Sequence, residues 1–408
     1  MIVDKNQSKP KNIFSFNRQK LLNKLENNSL AILFSEAPKY RNATHEYKYR
    51  QNSNFIYLTG ILEPVHSLWL LKDSAGNTDA FILIPEYDEK TKIYQGSGIS
   101  TKEIESISGI QQIYTFNEAF YKKLNTYKTI YCEKEKNNLF LHQNYPEKLQ
   151  DISPIISNLR LIKEPEEIDF IKTAIQITGK AFHELLRNFR YFKTEADIEA
   201  FITSYFIRKG QYPHAYLPIV ASGANALTLH YTHNSARLHK NELTLLDFGC
   251  EYNGYASDLS RTIPNKGKFS KRQKEVYTKV LSIVKEVQSN IKPGITIKEL
   301  NKFTQKLMQN ALVELNLIPK SKTDDNSLLL KKYFPHGVSH FIGLDVHDCG
   351  NTETILQEGM VLSCEPGIYI PEESIGIRLE NDILVAPHPI NLMQNIAIEV
   401  DEIENIMN

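Results

Sequence analysis

The chain has 408 residues, its 48 lysines and arginines are balanced by 48 aspartates and glutamates, and 41% of its side chains are hydrophobic. That length allows about two or three domains with sizeable cores. The balanced charge offers no basic footprint for nucleic acid or an anionic membrane, and no apolar run approaches the roughly 18 residues of a membrane-spanning helix.

In chain order, the first dozen residues (MIVDKNQSKPKN) lack the apolar core of a secretory signal and the arginine-rich pattern of a transit peptide. Residues 17–27 read as a helix. Short apolar strands are expected at SLAILFSE (29–36), NFIYLTG (54–60), SLWLLKD (67–73) and DAFILIP (79–85). This pattern predicts a smaller α/β domain over 1–160, with the join near 158–165.

Pro165 suits a first helical turn, and apolar residues then recur at Ile168, Ile171, Ile175, Thr178, Phe182, Leu185 and Phe189. Thr194 with Asp197 marks a second helix start. A third helix carries Val276, Val280, Ile283, Val287 and Ile291 before Pro293-Gly294, and Thr296 with Glu299 opens a fourth. Lys320–Asn326 (KSKTDDN) reads as a polar surface loop. With a hairpin and closing strands between and after these helices, residues 161–408 are expected to form an α+β domain.

The hairpin lies at 243–251 and 255–263, around Tyr252-Asn253-Gly254-Tyr255. Asn-Gly is a strong signal for a two-residue type I′ turn. If Tyr252 pairs with Tyr255, Asp247 lies opposite Ser260 and Asp258 opposite Gly249. The two aspartates are then diagonal neighbours on one face, roughly 7 Å apart at Cβ. Acids are depleted from strand interiors. His340, Glu365 and Glu380 add an imidazole and two more carboxylates. Any one of the five has an ordinary structural explanation. Together they make an oxygen-rich set suited to hard or borderline divalent ions, and four converging carboxylates would repel each other without cations.

The order Asp, Asp, His, Glu, Glu comes with HYTHN, LLDFGCEYNGYASDLSRT, HGVSHFIGLDVHD, CEPGIY and IRLEND around it. This resembles the aminopeptidase P branch of the pita-bread metallopeptidases, which hydrolyses Xaa-Pro bonds at peptide N-termini. YKYRQNSNFIYLTG (47–60) is similar to the signature of that family's N-terminal domain. Asn381 departs from the second acid common in relatives, and Cys364 from a valine or threonine; neither removes a ligand.

The resemblance implies a curved antiparallel sheet backed by helices, after an N-terminal domain that caps the cleft and forms dimers or tetramers. It implies two divalent ions, manganese favoured and cobalt, iron or zinc possible, held by Asp247, Asp258, His340, Glu365 and Glu380, with an activated water as nucleophile. Glu365 would also shuttle a proton. His347 would stabilise the tetrahedral intermediate, His230 would hold substrate beyond the scissile bond, and His336 would shape the proline pocket. Arg378 is expected to be structural and to line the pocket, with Tyr369 and Tyr216 as pocket aromatics. His233 and His239 are expected at the surface.

The implied substrates are peptides with proline second. The alternatives are a prolidase, which takes dipeptides, and a metal-free pita-bread binding protein or creatinase-like hydrolase. Cys132, Cys250, Cys349 and Cys364 lack zinc-site spacing and read as reduced thiols of a cytoplasmic protein. Three of them fall near the candidate site in sequence, so sensitivity to oxidation or heavy metals is a further expectation.

Overall fold

The computed structural model describes residues 12–134, 139–209, 214–320 and 325–408. All but Asn12 of the first dozen residues, and most of Lys320–Asn326, lie outside the described residues, and with them the expectations stated for those stretches; a helix spans Asp325–Tyr333. The chain divides into two compact units, Met1–Arg160 and Leu161–Asn408. No helix among the described residues is long and apolar enough to cross a membrane.

The first unit is built on a six-stranded sheet of β1 (Ser29–Phe34), β2 (Ser67–Lys72), β3 (Thr78–Ile84), β4 (Ile113–Thr115), β5 (Thr129–Cys132) and β6 (Leu149–Asp151), in the order β4-β3-β2-β1-β5-β6. The central β1, β2 and β3 pair antiparallel, whereas β4, β5 and β6 join in parallel. One face buries Leu30, Ile32, Trp69, Phe81 and Ile130, with the Trp69 and Phe81 rings stacked 5.4 Å apart. The first helix is Ile13–Lys24, starting earlier than expected because the Asn12 side chain accepts from the amides of Phe14 and Ser15.

One expected strand is corrected. NFIYLTG is a helix, Ser53–Thr59, capped by Asn52 and ended by Gly60 at φ 71°. Phe55 to Thr59 are all at most 1% exposed, so no polar face interrupted the apolar run to reveal a helical period.

In the second unit these helices start where expected. Pro165 opens Pro165–Asn188, and reciprocal caps of Thr194 with Asp197 and Thr296 with Glu299 open Glu195–Arg208 and Ile297–Glu314. The third helix, Lys271–Gln288, ends before Ile291, which is buried beyond it. These helices pack on antiparallel strands: β7 (Ile219–Ser222), β8 (Leu243–Phe248) and β11 (Leu259–Pro264) form one sheet, β12 (Val361–Cys364), β15 (Asn381–Leu384) and β16 (Ile390–Asn391) another, and β13 (Gly367–Ile370) pairs with β14 (Ile375–Arg378).

The hairpin has the expected register and an interruption. The short strands β9 (Glu251–Tyr252) and β10 (Tyr255–Ala256) pair Tyr252 with Tyr255, and β8 pairs Asp247 with Ser260 on β11. Asn253 and Gly254 both have positive φ, as a type I′ turn requires. Between these ladders, at Gly249-Cys250 and Ser257-Asp258, the Ser257 amide still donates to the Cys250 carbonyl, but side chains take the Cys250 and Asp258 amides. The Cys250 amide donates to the hydroxyls of Thr178 and Ser257, and the Asp258 amide donates to Asp382 Oδ2. A Cβ at Gly249 would sit 1.7 Å from the Ser257 carbonyl oxygen, a backbone atom that a rotamer change cannot move aside. Gly249→Ala should therefore destabilise the protein by about 2–3 kcal/mol, read as a lowered urea midpoint with an unchanged m value.

Candidate metal centre

Five acids and bases predicted from the sequence meet in one cavity of about 490 Å³, together with Tyr216, His230, His336, His347 and Arg378. The backbone places them. Asp247 sits in β8 and Asp258 at the interruption before β11. The Glu380 amide donates to the Ser260 carbonyl, laying the end of β14 beside β11. Residues 338–342 run alongside β12: the Glu365 amide donates to Val338 O, Ser363 N to His340 O, and Ile342 N to Val361 O. His340 and Glu365 are thereby held side by side.

The donor atoms converge on the imidazole. His340 Nε2 lies 3.3 Å from Asp258 Oδ2, 3.7 Å from Glu365 Oε1 and 4.0 Å from Glu380 Oε1. Ligand atoms of Asp258, His340 and Glu380 all lie within 4.8 Å of one another. His340 Nδ1 is 3.1 Å from the Phe341 carbonyl, which can only accept, so Nδ1 carries a proton and Nε2 is the nitrogen offered to the carboxylates.

Asp247 is held from two other sides. Arg378 Nη2 donates to Asp247 Oδ2 at 2.5 Å, and the Tyr216 hydroxyl lies 2.7 Å from Asp247 Oδ1 and 2.5 Å from Asp258 Oδ1. A phenol has one proton, so it satisfies one of those two oxygens at a time. Burial and the charges of Asp247 and Asp258 hold the Tyr216 phenol well above its ordinary range, so that proton stays. Arg378 also donates to the Ser260 and Tyr369 hydroxyls. Ser260 in turn donates to Glu380 Oε2 at 2.7 Å.

The site strains against its own charge. Burial raises the pKa of Asp247 against the opposing charge of Arg378. It raises Glu365 to about 7, and it raises Glu380 well above the ordinary range, with Asp258 and Glu365 adding to the rise. At Asp258 burial also pushes upward, but the hydrogen bond and charge of His340 pull the carboxyl below its usual range. Burial would lower His340, yet Asp258 and Glu365 lift it to about 9. Glu380 Oε1 and Asp382 Oδ1 are buried without a hydrogen-bond partner. The orphaned Glu380 oxygen facing the His340 imidazole nitrogen fits a divalent cation, and the oxygen-rich set fits hard or borderline ones.

The other expected residues divide by place. His347 packs edge-on to His340 with centroids 4.4 Å apart, and burial with the His340 charge lowers its pKa. His336 Nδ1 lies 2.6 Å from Gly337 O and Nε2 2.9 Å from the Tyr369 hydroxyl. Burial, reinforced by Arg378, lowers His336 to about 4. The ring is therefore neutral with Nδ1 protonated, and Tyr369 donates to Nε2. Tyr369 is buried behind the cavity, not on its wall, bridging His336 and Arg378. His230 lines the cavity, while His233 and His239 are exposed. Cys250 and Cys364 are fully buried with pKa values raised by burial, Cys250 to about 12; thiolate, the reactive form, is scarce there.

Asp382 is the residue that sequence reasoning passed over. It is fully buried, takes the Asp258 amide, and burial with the Asp258 charge raises its pKa well above the ordinary range. The signal was present: an acid two residues past Glu380 in an otherwise apolar strand.

The description Metallopeptidase family M24 matches residues 169–387, and Aminopeptidase P, N-terminal domain, matches 14–131. The Xaa-Pro aminopeptidase of Escherichia coli K12 is 33% identical over 97% of each chain, and human Xaa-Pro aminopeptidase 3 is 30% identical over 92% of this chain and 80% of its own. The solved structure of proline aminopeptidase P II from Yersinia pestis superposes with a TM-score of 0.88 at 33% identity, covering 97% of this chain and 98% of that one. The second unit has the pita-bread fold and the first is the smaller α/β N-terminal domain.

Because Nε2 of His340 and the Glu365 carboxyl hold protons near neutrality in the metal-free protein, cation binding must expel them. Apparent manganese affinity should rise steadily between about pH 6 and about pH 9, with proton release measurable by calorimetry in buffers of different ionisation enthalpy.

Proposed function

We infer that this chain, which belongs to metallopeptidase family M24, is a metal-dependent aminopeptidase that hydrolyses the N-terminal Xaa-Pro bond of peptides. The observation that carries the reading is the convergence of Asp258, His340 and Glu380 on one point, with an unsatisfied Glu380 oxygen beside it. Asp247, Asp258, His340, Glu365 and Glu380 would hold two divalent cations, of which manganese suits the oxygen-rich set best and cobalt, iron or zinc are possible. When bound, such cations act as Lewis acids that polarise the scissile carbonyl and lower the pKa of water.

The protein's own groups then have separable tasks. Glu365 borders the cavity with a pKa near neutrality, which suits a carboxyl that takes a proton in one step and returns it in the next. His347, neutral through burial, offers an N–H to charge developing on the scissile oxygen. His230 is placed to hold substrate beyond the scissile bond. His336 cannot serve as a base, since its Nε2 lone pair is taken by Tyr369; it presents a fixed, neutral wall beside which a proline ring can pack. Tyr216 and Arg378 touch the cavity but spend their donors on the aspartates, so their main task is to fix Asp247 and Asp258.

Assembly as a homodimer or homotetramer belongs to the same proposal, as does a cytoplasmic location, which the low cysteine content, four in 408 residues, favours.

With manganese loaded, the protein should cleave an Xaa-Pro-Yaa tripeptide faster than an Xaa-Pro dipeptide, and chelation should abolish both. Preference for the dipeptide would make it a prolidase, and no turnover of either would remove the peptidase reading. Glu365→Gln should lower kcat by at least about 100-fold; near-normal turnover would reject Glu365 as the proton carrier.

A further inference from the structure

The wall of the cavity that carries Leu217, Ile219, Leu229, His230 and Thr232 belongs to a single segment, residues 217–236, which runs through β7 and a short 3-10 helix (Gly223–Leu227) and is irregular from 228 on. Irregular segments bordering a cleft are usually mobile, yet this one is fastened at its back by one carboxylate. Glu195 is fully buried and opens the helix Glu195–Arg208. Its Oε1 accepts from the Ser222 amide at 2.8 Å and from Asn225 Nδ2 at 2.9 Å. Its Oε2 accepts from the Tyr231 hydroxyl at 2.9 Å and the Ala236 amide at 2.8 Å. The Glu195 amide donates in turn to the Ala236 carbonyl at 2.9 Å.

Four donors drawn from 222–236 thus converge on two oxygens, and the positive end of the helix adds to them. A second fastening lies one turn on. Asn234, in the left-handed region at φ 47°, donates from Nδ2 to Glu199 Oε2 and to the Pro218 carbonyl, and accepts the Val220 amide. The HYTHN motif is therefore divided: His230 and Thr232 line the cavity, while Tyr231 and Asn234 are tied to the helix behind it.

We propose that Glu195 is a positioning residue for the peptidase reaction, fixing through Tyr231 and the 222–236 segment where His230 meets the substrate. This rests on the aminopeptidase reading. Replacing the carboxylate by an amide keeps the shape but turns one acceptor into a donor facing donors, which releases one edge of the segment. The metal ligands all lie outside this segment and should keep their cations.

The test is a double-mutant cycle on manganese-loaded protein, with an Xaa-Pro-Yaa tripeptide as substrate. Glu195→Gln should lower kcat/KM by about 10- to 100-fold, and Tyr231→Phe, which removes one of the four donors and is the safer fold, by about 3- to 10-fold. Both should keep wild-type manganese content. In a His230→Ala background each second change should cost less than about 3-fold, because the group it positions is already gone. Full, additive losses in that background, or Tyr231→Phe at wild-type kcat/KM, would overturn the proposal. An inactive wild-type protein would instead overturn the aminopeptidase reading.

Discussion

The second unit is organised around a surplus of negative charge held out of water. Asp247, Asp258, Glu365 and Glu380 share a cavity whose permanent cation is the Arg378 guanidinium, assisted by the His340 imidazole. Bringing carboxylates into an apolar interior is costly unless they are paired or bind metal. The protein meets part of that cost itself. Arg378 and Tyr216 fix Asp247, Ser260 donates to Glu380, and His340 lies against Asp258. What remains unmet is local: the Glu380 oxygen that faces His340 has no donor at all. Divalent cations are the species whose charge and preference for oxygen resolve that imbalance.

Holding such a site open requires a rigid frame, and the backbone supplies it. The β8–β11 pairing sets Asp247, the interruption at Gly249 and Ser257 turns Asp258 out of the ladder, and the strand-like run of 338–342 against β12 locks His340 beside Glu365. Around this sits a layer of groups that touch no substrate. The Gly337 carbonyl fixes the tautomer of His336, the Phe341 carbonyl fixes that of His340, and Asp382 fastens the Asp258 amide. Such outer contacts decide which atom each side chain presents, and so which chemistry it can perform.

The sequence exposed those parts whose cause is local. Asn253-Gly254 dictated the turn and hence the register that pairs Asp247 with Ser260, and the caps at Thr194 and Thr296 located helix starts to the residue. Features set by long-range contact were hidden. Residues 54–60 read as a strand because burial on every side erased the helical period. The break in the hairpin depends on hydroxyls from Thr178 and an acid at 382, far away in the chain. The clamp of Arg378 and Tyr216 on Asp247 joins residues from three separate segments, and Tyr369 was expected on the cavity wall because an aromatic beside the motif says nothing of which side it faces.

That the buried carboxylates form a cation site can be tested directly. Equilibrium dialysis of the chelator-stripped protein against manganese, with metal analysis and thermal melting on the same samples, addresses it without any assay of catalysis. Uptake approaching about two ions per chain, accompanied by a rise in melting temperature that grows with manganese concentration, is the expected result. A folded protein that takes up none and melts at the same temperature with and without manganese would contradict it.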